Sequence, residues 1–176
     1  MPIEAKDDRL LFFTRLVLTL LLALMIFISL TTLLIIPILY LSQDSVIRSL
    51  AENGIDAAAI PWIAVSLALV SAMAALGFFF FRHLRRIVDS VSDGDPFIPV
   101  NADRLKHMGW LALAIQALVI PATGLVIWFD ALPQEPNVHY SDNNSLGGLV
   151  LAMLLFVLAR VFRVGSAMRE ELEGTV

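Results

Sequence analysis

The three histidines, His83, His107 and His139, are the side chains best suited to metal binding or proton transfer. Their spacing matches no metal-ligand motif, and although His139 lies near Tyr140 and Asp142, the sequence favours a solvated loop there. The chain has no cysteine, which excludes disulfides, thiolate metal sites and cysteine nucleophiles. It also lacks the G-x-S-x-G, H-E-x-x-H and glycine-rich phosphate-loop patterns. The sequence therefore predicts a protein that is not an enzyme and holds no metal or cofactor.

The composition indicates a membrane protein. Of the 176 residues, 59% are hydrophobic and only 16% are charged, whereas soluble domains are about 25% charged. A helix needs about 20 mostly apolar residues to cross a bilayer. Three charge-free runs, and a fourth that must extend past Arg160, predict spans at 16–41, 57–81, 108–129 and 146–162. The predicted fold is an all-α membrane protein, a single domain over residues 1–176 that forms a four-transmembrane-helix bundle in the lipid bilayer.

The basic residues predict the orientation of the spans. Of the 12 lysines and arginines, only Arg48 falls outside the membrane if both termini are cytoplasmic. Because cytoplasmic segments carry an excess of Lys and Arg, the sequence predicts a cytoplasmic N-terminus, C-terminus and segment 82–107. Residues 44–56 and 130–145 are then predicted to lie on the opposite side.

The second helix is predicted to continue into the cytoplasm, because apolar residues repeat at helical spacing after its span. These residues are Leu84, Ile87, Val88 and Val91. Gly94 is a natural helix stop, Pro96 prevents resumption, and Asn101 is expected to cap the next helix. The result is a helical cytoplasmic shoulder between helices 2 and 3. The C-terminal tail has a second apolar stripe, formed by Val161, Val164, Met168 and Leu172.

The four apolar runs contain no ionisable side chain. Since intramembrane charges usually mark transport pathways, this argues against ion-coupled transport, but it leaves open a small passive pore formed by an oligomer. The two apolar stripes also have open alternatives: they lie in the headgroup region, pack on each other, or bind a partner. A homo-oligomer is one alternative for the assembly.

Two parts of the sequence resemble a bacterial membrane family catalogued as domain of unknown function 2975. The first part comprises Gly94-Asp95-Pro96-Phe97, Asn101, Arg104-Leu105 and Gly109-Trp110; the second comprises Leu158 to Phe162, Gly165, Met168 to Glu171 and Glu173 to Val176. The similarity is read as covering the whole four-span layout. It implies a protein of the bacterial cytoplasmic (inner) membrane without an established activity. It also implies a partner, because such proteins are often encoded beside a small Cro-type helix-turn-helix transcription regulator.

The leading functional hypothesis is a non-enzymatic sensor or regulator that docks this small cytoplasmic regulator and binds no nucleic acid directly. The alternative is a small transport, pore or peptide-immunity protein. Interfaces combine an apolar centre with a charged rim. On that basis the predicted docking residues are Arg85, Arg86, Ile87, Val91, Asp95 and Phe97. Phe97 is the predicted anchor, and the competing interpretation is that it packs back onto the inner ends of the second and third spans.

Overall fold

A computed structural model describes residues 4–130 and 146–173 of the chain. Its elements are α1 (Glu4–Leu41), α2 (Gln43–Glu52), a short 3-10 helix (Ala57–Ala59), α3 (Ile60–Ser92), α4 (Pro99–Asp130) and α5 (Leu146–Glu173). The described residues form helices and turns without a strand. Four of the helices, α1, α3, α4 and α5, are long and apolar enough to cross a membrane. This confirms the predicted all-α class and the four candidate spans.

The helices are longer than the membrane requires. Helices α3, α4 and α5 have 33, 32 and 28 residues. At about 1.5 Å per residue they extend roughly 50, 48 and 42 Å, against a hydrocarbon core about 30 Å thick. Helix α3 continues past the charge-free run 57–81 to Ser92, which confirms the predicted helical extension after that run.

The four long helices form an open row in the order α1, α3, α4, α5. Helix α3 packs on both α1 and α4, and α5 packs on α4. Within residues 4–130 and 146–173, α1 approaches neither α4 nor α5 closely, and α3 does not approach α5. The closed packing that a four-helix bundle implies is therefore not found in the described part. Helices in lipid gain little from closure, because lipid tails cover apolar side chains as well as a neighbouring helix does.

Small residues on α3 allow α1 to approach closely. Ser29 of α1 and Ser71 of α3 have hydroxyl groups 3.2 Å apart, and the Ser71 hydroxyl donates to the Ser29 carbonyl. A Cβ at Gly77 would lie 3.1 Å from the sulfur of Met25. Small side chains and interhelical hydroxyl bonds are the usual means of packing helices in membranes.

The main hydrophobic core lies between α4 and α5 and reaches α3 through Ile87. Its buried members are Ile87, Leu105, Met108, Ala112, Ala152, Leu155 and Ala159. Helix α1 contributes only Leu18 and Leu22 to the buried hydrophobic residues of the described part. The core is thus concentrated in the half of the row that α4 and α5 form.

Helix α3 ends at Gly94 as the sequence predicts. Gly94 has a φ of +84°, and its N–H donates to the carbonyl of Val91 while the N–H of Asp95 donates to the carbonyl of Ser90, each at 3.1 Å. These two bonds define a Schellman motif, in which the left-handed residue is most easily glycine. The same pattern at Gly54, with a φ of +73°, ends α2.

The prediction that Asn101 caps α4 is wrong. Helix α4 begins two residues earlier, at Pro99, because proline has no N–H to leave unpaired and its fixed φ suits the first helical position. Asn101 therefore lies inside the first turn, with its side chain fully buried. Helix α2 was not predicted either, although the spacing of Val46, Ile47 and Leu50 would have indicated it.

Candidate functional site at the basic end

The four long helices have most of their basic residues at one end of their long axes, which we call the basic end. These residues are Arg15, Arg82, Arg85, Arg86, Arg104, Lys106, Arg160, Arg163 and Arg169. Three ion pairs connect its elements: Arg15 with Asp89, Arg163 with Asp103, and Arg169 with Asp95. All six side chains are 39–62% exposed, so each pair contributes at most about 1 kcal/mol. Their value is positional, because they join α1 to α3, α4 to α5, and α5 to the turn after α3.

Asn101 organises the turn between α3 and α4. Its amide Nδ2 donates to the Ser90 hydroxyl at 2.6 Å and to the Pro96 carbonyl at 2.9 Å. Its Oδ1 accepts from Nη1 of Arg104 at 2.8 Å, and the same nitrogen of Arg104 donates to the carbonyl of Arg86 at 3.0 Å. One buried side chain thus holds the end of α3, the turn and the start of α4 together. The sequence places Asn101 in a family-like motif but does not predict this role.

Phe97 contacts α5. Its ring centroid lies 5.2 Å from that of Phe162, and a Cβ at Gly165 would lie 3.0 Å from the Phe97 ring. The absence of a side chain at Gly165 makes room for the ring. These contacts are with the fourth spanning helix, whereas the packing interpretation placed Phe97 on the second and third spans. The ring is nevertheless 42% exposed.

The predicted docking residues divide into an internal group and a surface group. Ile87 is buried in the main core, so it lies beneath the surface that the docking hypothesis assigned to it. Arg85 is half-buried, while Arg86 and Val91 are exposed. Asp95 and Phe97 are accessible at the turn but already contact Arg169 and Phe162 of α5.

A second glycine and aromatic pair lies deeper along α4. A Cβ at Gly109 would lie 2.9 Å from two ring atoms of Phe156, and the same ring packs edge-on against Trp110 at a centroid distance of 5.5 Å. Phe156 lies just outside the family-like motif, whose two halves meet through the contacts of Phe97 with Phe162 and Gly165. In both places an aromatic ring packs against a glycine and a second ring. Phe156 packs against Gly109 and Trp110, and Phe97 packs against Gly165 and Phe162.

His83 and His107 come together although 23 residues separate them in sequence. Their rings are stacked at 5.7 Å with an interplanar angle of 9°, and Nδ1 of His107 lies 2.8 Å from the carbonyl of Asp103. In the described part of the chain no group of three or more His, Cys, Asp or Glu could hold a metal. The loop that contains His139 lies outside the described residues.

Within the described residues, the apolar stripe of α5 is largely exposed at the basic end. Val161, Val164, Met168 and Leu172 are 54%, 47%, 60% and 72% exposed. The corresponding stripe of α3 is partly buried, because Ile87 belongs to the main core and Leu84 packs against that core. The two stripes therefore do not form one continuous exposed surface.

These features define a multi-pass helical membrane protein whose helix ends are tied together at one side. The chain belongs to the family described as Protein of unknown function (DUF2975), whose model matches residues 45–176. The match covers the second to fourth spans and omits α1, so it is narrower than the whole four-span layout expected from the resemblance. No curated protein and no solved structure matches the chain.

Proposed function

We propose that the protein is a non-enzymatic regulator of the bacterial cytoplasmic membrane that docks a small helix-turn-helix transcription regulator on its basic end. Both termini and the basic end are then cytoplasmic. The chain itself binds no nucleic acid, and its partner carries any effect on transcription. Transport, pore formation and peptide immunity stay alternative predictions from the sequence.

The proposal rests on exposed apolar side chains that would lie beyond the hydrocarbon core in the predicted topology. Trp110 is 59% exposed, and its amphipathic ring suits the headgroup level. Phe97 precedes it by 13 residues, and the α4 segment from Pro99 to Trp110 alone projects roughly 16 Å. Met168 and Leu172 lie about 12 and 18 Å past Arg160 along α5 by the same rise. Apolar side chains so far from the lipid tails are typical of an interaction surface.

The charges beside this surface favour a partner with an acidic rim. Arg86 is exposed on α3, and Arg169 is accessible beside Asp95. A central aromatic residue with a charged rim is the usual arrangement of a protein interface. Because Asp95 and Phe97 also bind α5 within the chain, docking there would act on the contact between the turn and α5.

Docking is tested with the full chain in lipid nanodiscs and the purified small helix-turn-helix regulator that the family resemblance predicts to be encoded beside it. Phe97→Ala and Met168→Glu are each expected to weaken binding about tenfold or more, since a central apolar contact contributes much of an interface's affinity. Phe79→Ala is the matched control, because Phe79 is 46% exposed but lies within the membrane-spanning part of α3. Its affinity should equal that of the unmodified chain.

Met168→Glu makes the docking test independent of packing, because Met168 is 60% exposed whereas Phe97 also supports the turn. Unaltered binding in both variants contradicts the proposal. A fall in thermal stability for Phe97→Ala, with unaltered binding for Met168→Glu, identifies Phe97 as a packing residue and also contradicts it.

The orientation is tested by single cysteines, since the chain has none of its own. Glu52→Cys should react with a membrane-impermeant thiol reagent in intact cells, and Ser92→Cys should react only after lysis. Both positions are exposed: Glu52 ends α2, before the start of α3, and Ser92 is the last residue of α3. The reverse pattern would place the basic end outside and would exclude a cytoplasmic partner.

A further inference from the structure

A groove of about 430 Å³ lies between α4 and α5 at the basic end, away from the turn and from the predicted docking residues. Its lining comprises Lys106, Phe156, Ala159, Arg160, Arg163 and Val164. Three of these residues are cationic and the other three are apolar. The groove therefore presents positive charge and hydrocarbon to the same occupant.

The sequence pattern predicts that the groove lies at the boundary between headgroups and lipid tails. Phe156, one of its apolar residues, packs edge-on against Trp110, whose exposed ring marks the interface. Lys106 lies two residues before Met108, where the charge-free run of α4 begins. Arg160 interrupts the apolar run of α5 at a similar level. The cations are thus positioned for headgroups while Phe156 faces the acyl region.

The cations are only partly neutralised. Nη2 of Arg163 lies 2.7 Å from Oδ1 of Asp103. Within residues 4–130 and 146–173, no carboxylate pairs with Lys106 or Arg160. The groove keeps a formal excess of two positive charges in a region where lipid tails lower the local dielectric. An anion at this point would be bound more strongly than at a fully solvated surface.

We propose that this groove is a binding site for an anionic phospholipid of the leaflet at the basic end. Its phosphate accepts hydrogen bonds from Lys106 and Arg160, with Arg163 shared between the phosphate and Asp103. One acyl chain lies along Phe156, on the membrane side of Arg160. A free phosphate would leave the apolar lining uncovered, and a zwitterionic lipid would bring its own cation toward the arginines, so a net negative lipid suits both halves of the groove best.

The site is tested by titrating the full chain, purified in a non-ionic detergent, with phosphatidylglycerol or phosphatidylcholine and counting bound lipids by native mass spectrometry. Phosphatidylglycerol should bind more tightly than phosphatidylcholine. The paired variant Lys106→Gln and Arg160→Gln should lose at least about tenfold in affinity for it, because each cation near anionic lipid contributes several-fold. The single variant Arg160→Gln should lose about fivefold, and Arg160→Lys should restore most of this loss.

The matched control is the paired variant Arg82→Gln and Arg85→Gln, which removes the same charge at the same end but on α3. Its affinity for phosphatidylglycerol should change less than twofold. An equal loss in both paired variants indicates general surface attraction and overturns the proposal. Equal binding of the two lipids, or displacement of phosphatidylglycerol by inorganic phosphate at equal concentration, overturns it as well.

Discussion

Asn101→Ala is expected to lower the free energy of unfolding by about 3 kcal/mol. The fully buried amide makes three hydrogen bonds, to Ser90, Pro96 and Arg104. Truncation removes all three bonds, and each intramolecular hydrogen bond contributes about 0.5–1.5 kcal/mol. The change is measured by denaturing the chain in mixed micelles with sodium dodecyl sulfate while following tryptophan fluorescence.

Asn53→Ala provides the control for this prediction. Its amide also donates to a backbone carbonyl, that of Ser49, at 2.7 Å, but the side chain is exposed at the end of α2. Water replaces the lost bond there, so the expected cost is below about 1 kcal/mol. An equal effect of the two substitutions would contradict the importance of burial.

Asn101→Asp separates hydrogen bonding from volume, because the two side chains have nearly the same shape. The carboxylate can still accept from Arg104, but it cannot donate to the carbonyl of Pro96, which lies 2.9 Å from the replaced nitrogen. We expect this variant to be destabilised although it gains a charge beside an arginine. Stability equal to that of the unmodified chain would show that the donor role of Asn101 is unnecessary.

Gly109→Leu is expected to cost about 2–3 kcal/mol and to weaken the packing of α4 on α5. The first carbon of any side chain at this position would lie 2.9 Å from the ring of Phe156, which is closer than carbon atoms pack. The ring is also held against Trp110. Overpacking of a well-filled contact typically costs 1–3 kcal/mol. The denaturation assay used for Asn101 measures the loss.

Gly124→Leu is the matched control, since Gly124 lies on the same helix and a Cβ there meets nothing within 4 Å. Its stability should be unchanged or slightly higher, because leucine favours the helix over glycine. In a Phe156→Ala background, where the ring is gone, Gly109→Leu should cost clearly less than in the native chain. The same cost in both backgrounds would show that the contact with Phe156 is not responsible.

Several residues of the family-like motif have structural roles that become visible only when the helices are packed together. Gly94 ends α3, Asn101 holds the turn, and Gly165 makes room for Phe97. Arg169, from the end of the chain, pairs with Asp95 of the turn. Residues 74 positions apart in sequence are therefore in contact where the turn after α3 packs on α5. A partner docked on this contact, or a lipid bound beside it, would affect the packing between the turn and α5.

Local features of the chain were determined by the sequence. The apolar runs determine the spanning helices, because the length of hydrocarbon to be crossed is fixed. The helical spacing after the second span predicts its extension to Ser92, and Gly94 predicts its end, because a left-handed residue that closes a helix is most easily glycine. Each of these predictions depends on neighbouring residues alone, so it does not require knowledge of how the helices pack.

Only the tertiary structure determined which side chains are buried and which helices they contact. Apolar spacing shows that Ile87 and Val91 share a helix face, but the position of α4 determines that Ile87 is buried and Val91 is exposed. Asn101 matches a helix cap by residue type, yet Pro99 starts the helix earlier and the amide turns inward. Phe97 meets α5, and the helices form an open row, because packing between segments far apart in sequence depends on the shapes of whole helix surfaces rather than on local periodicity.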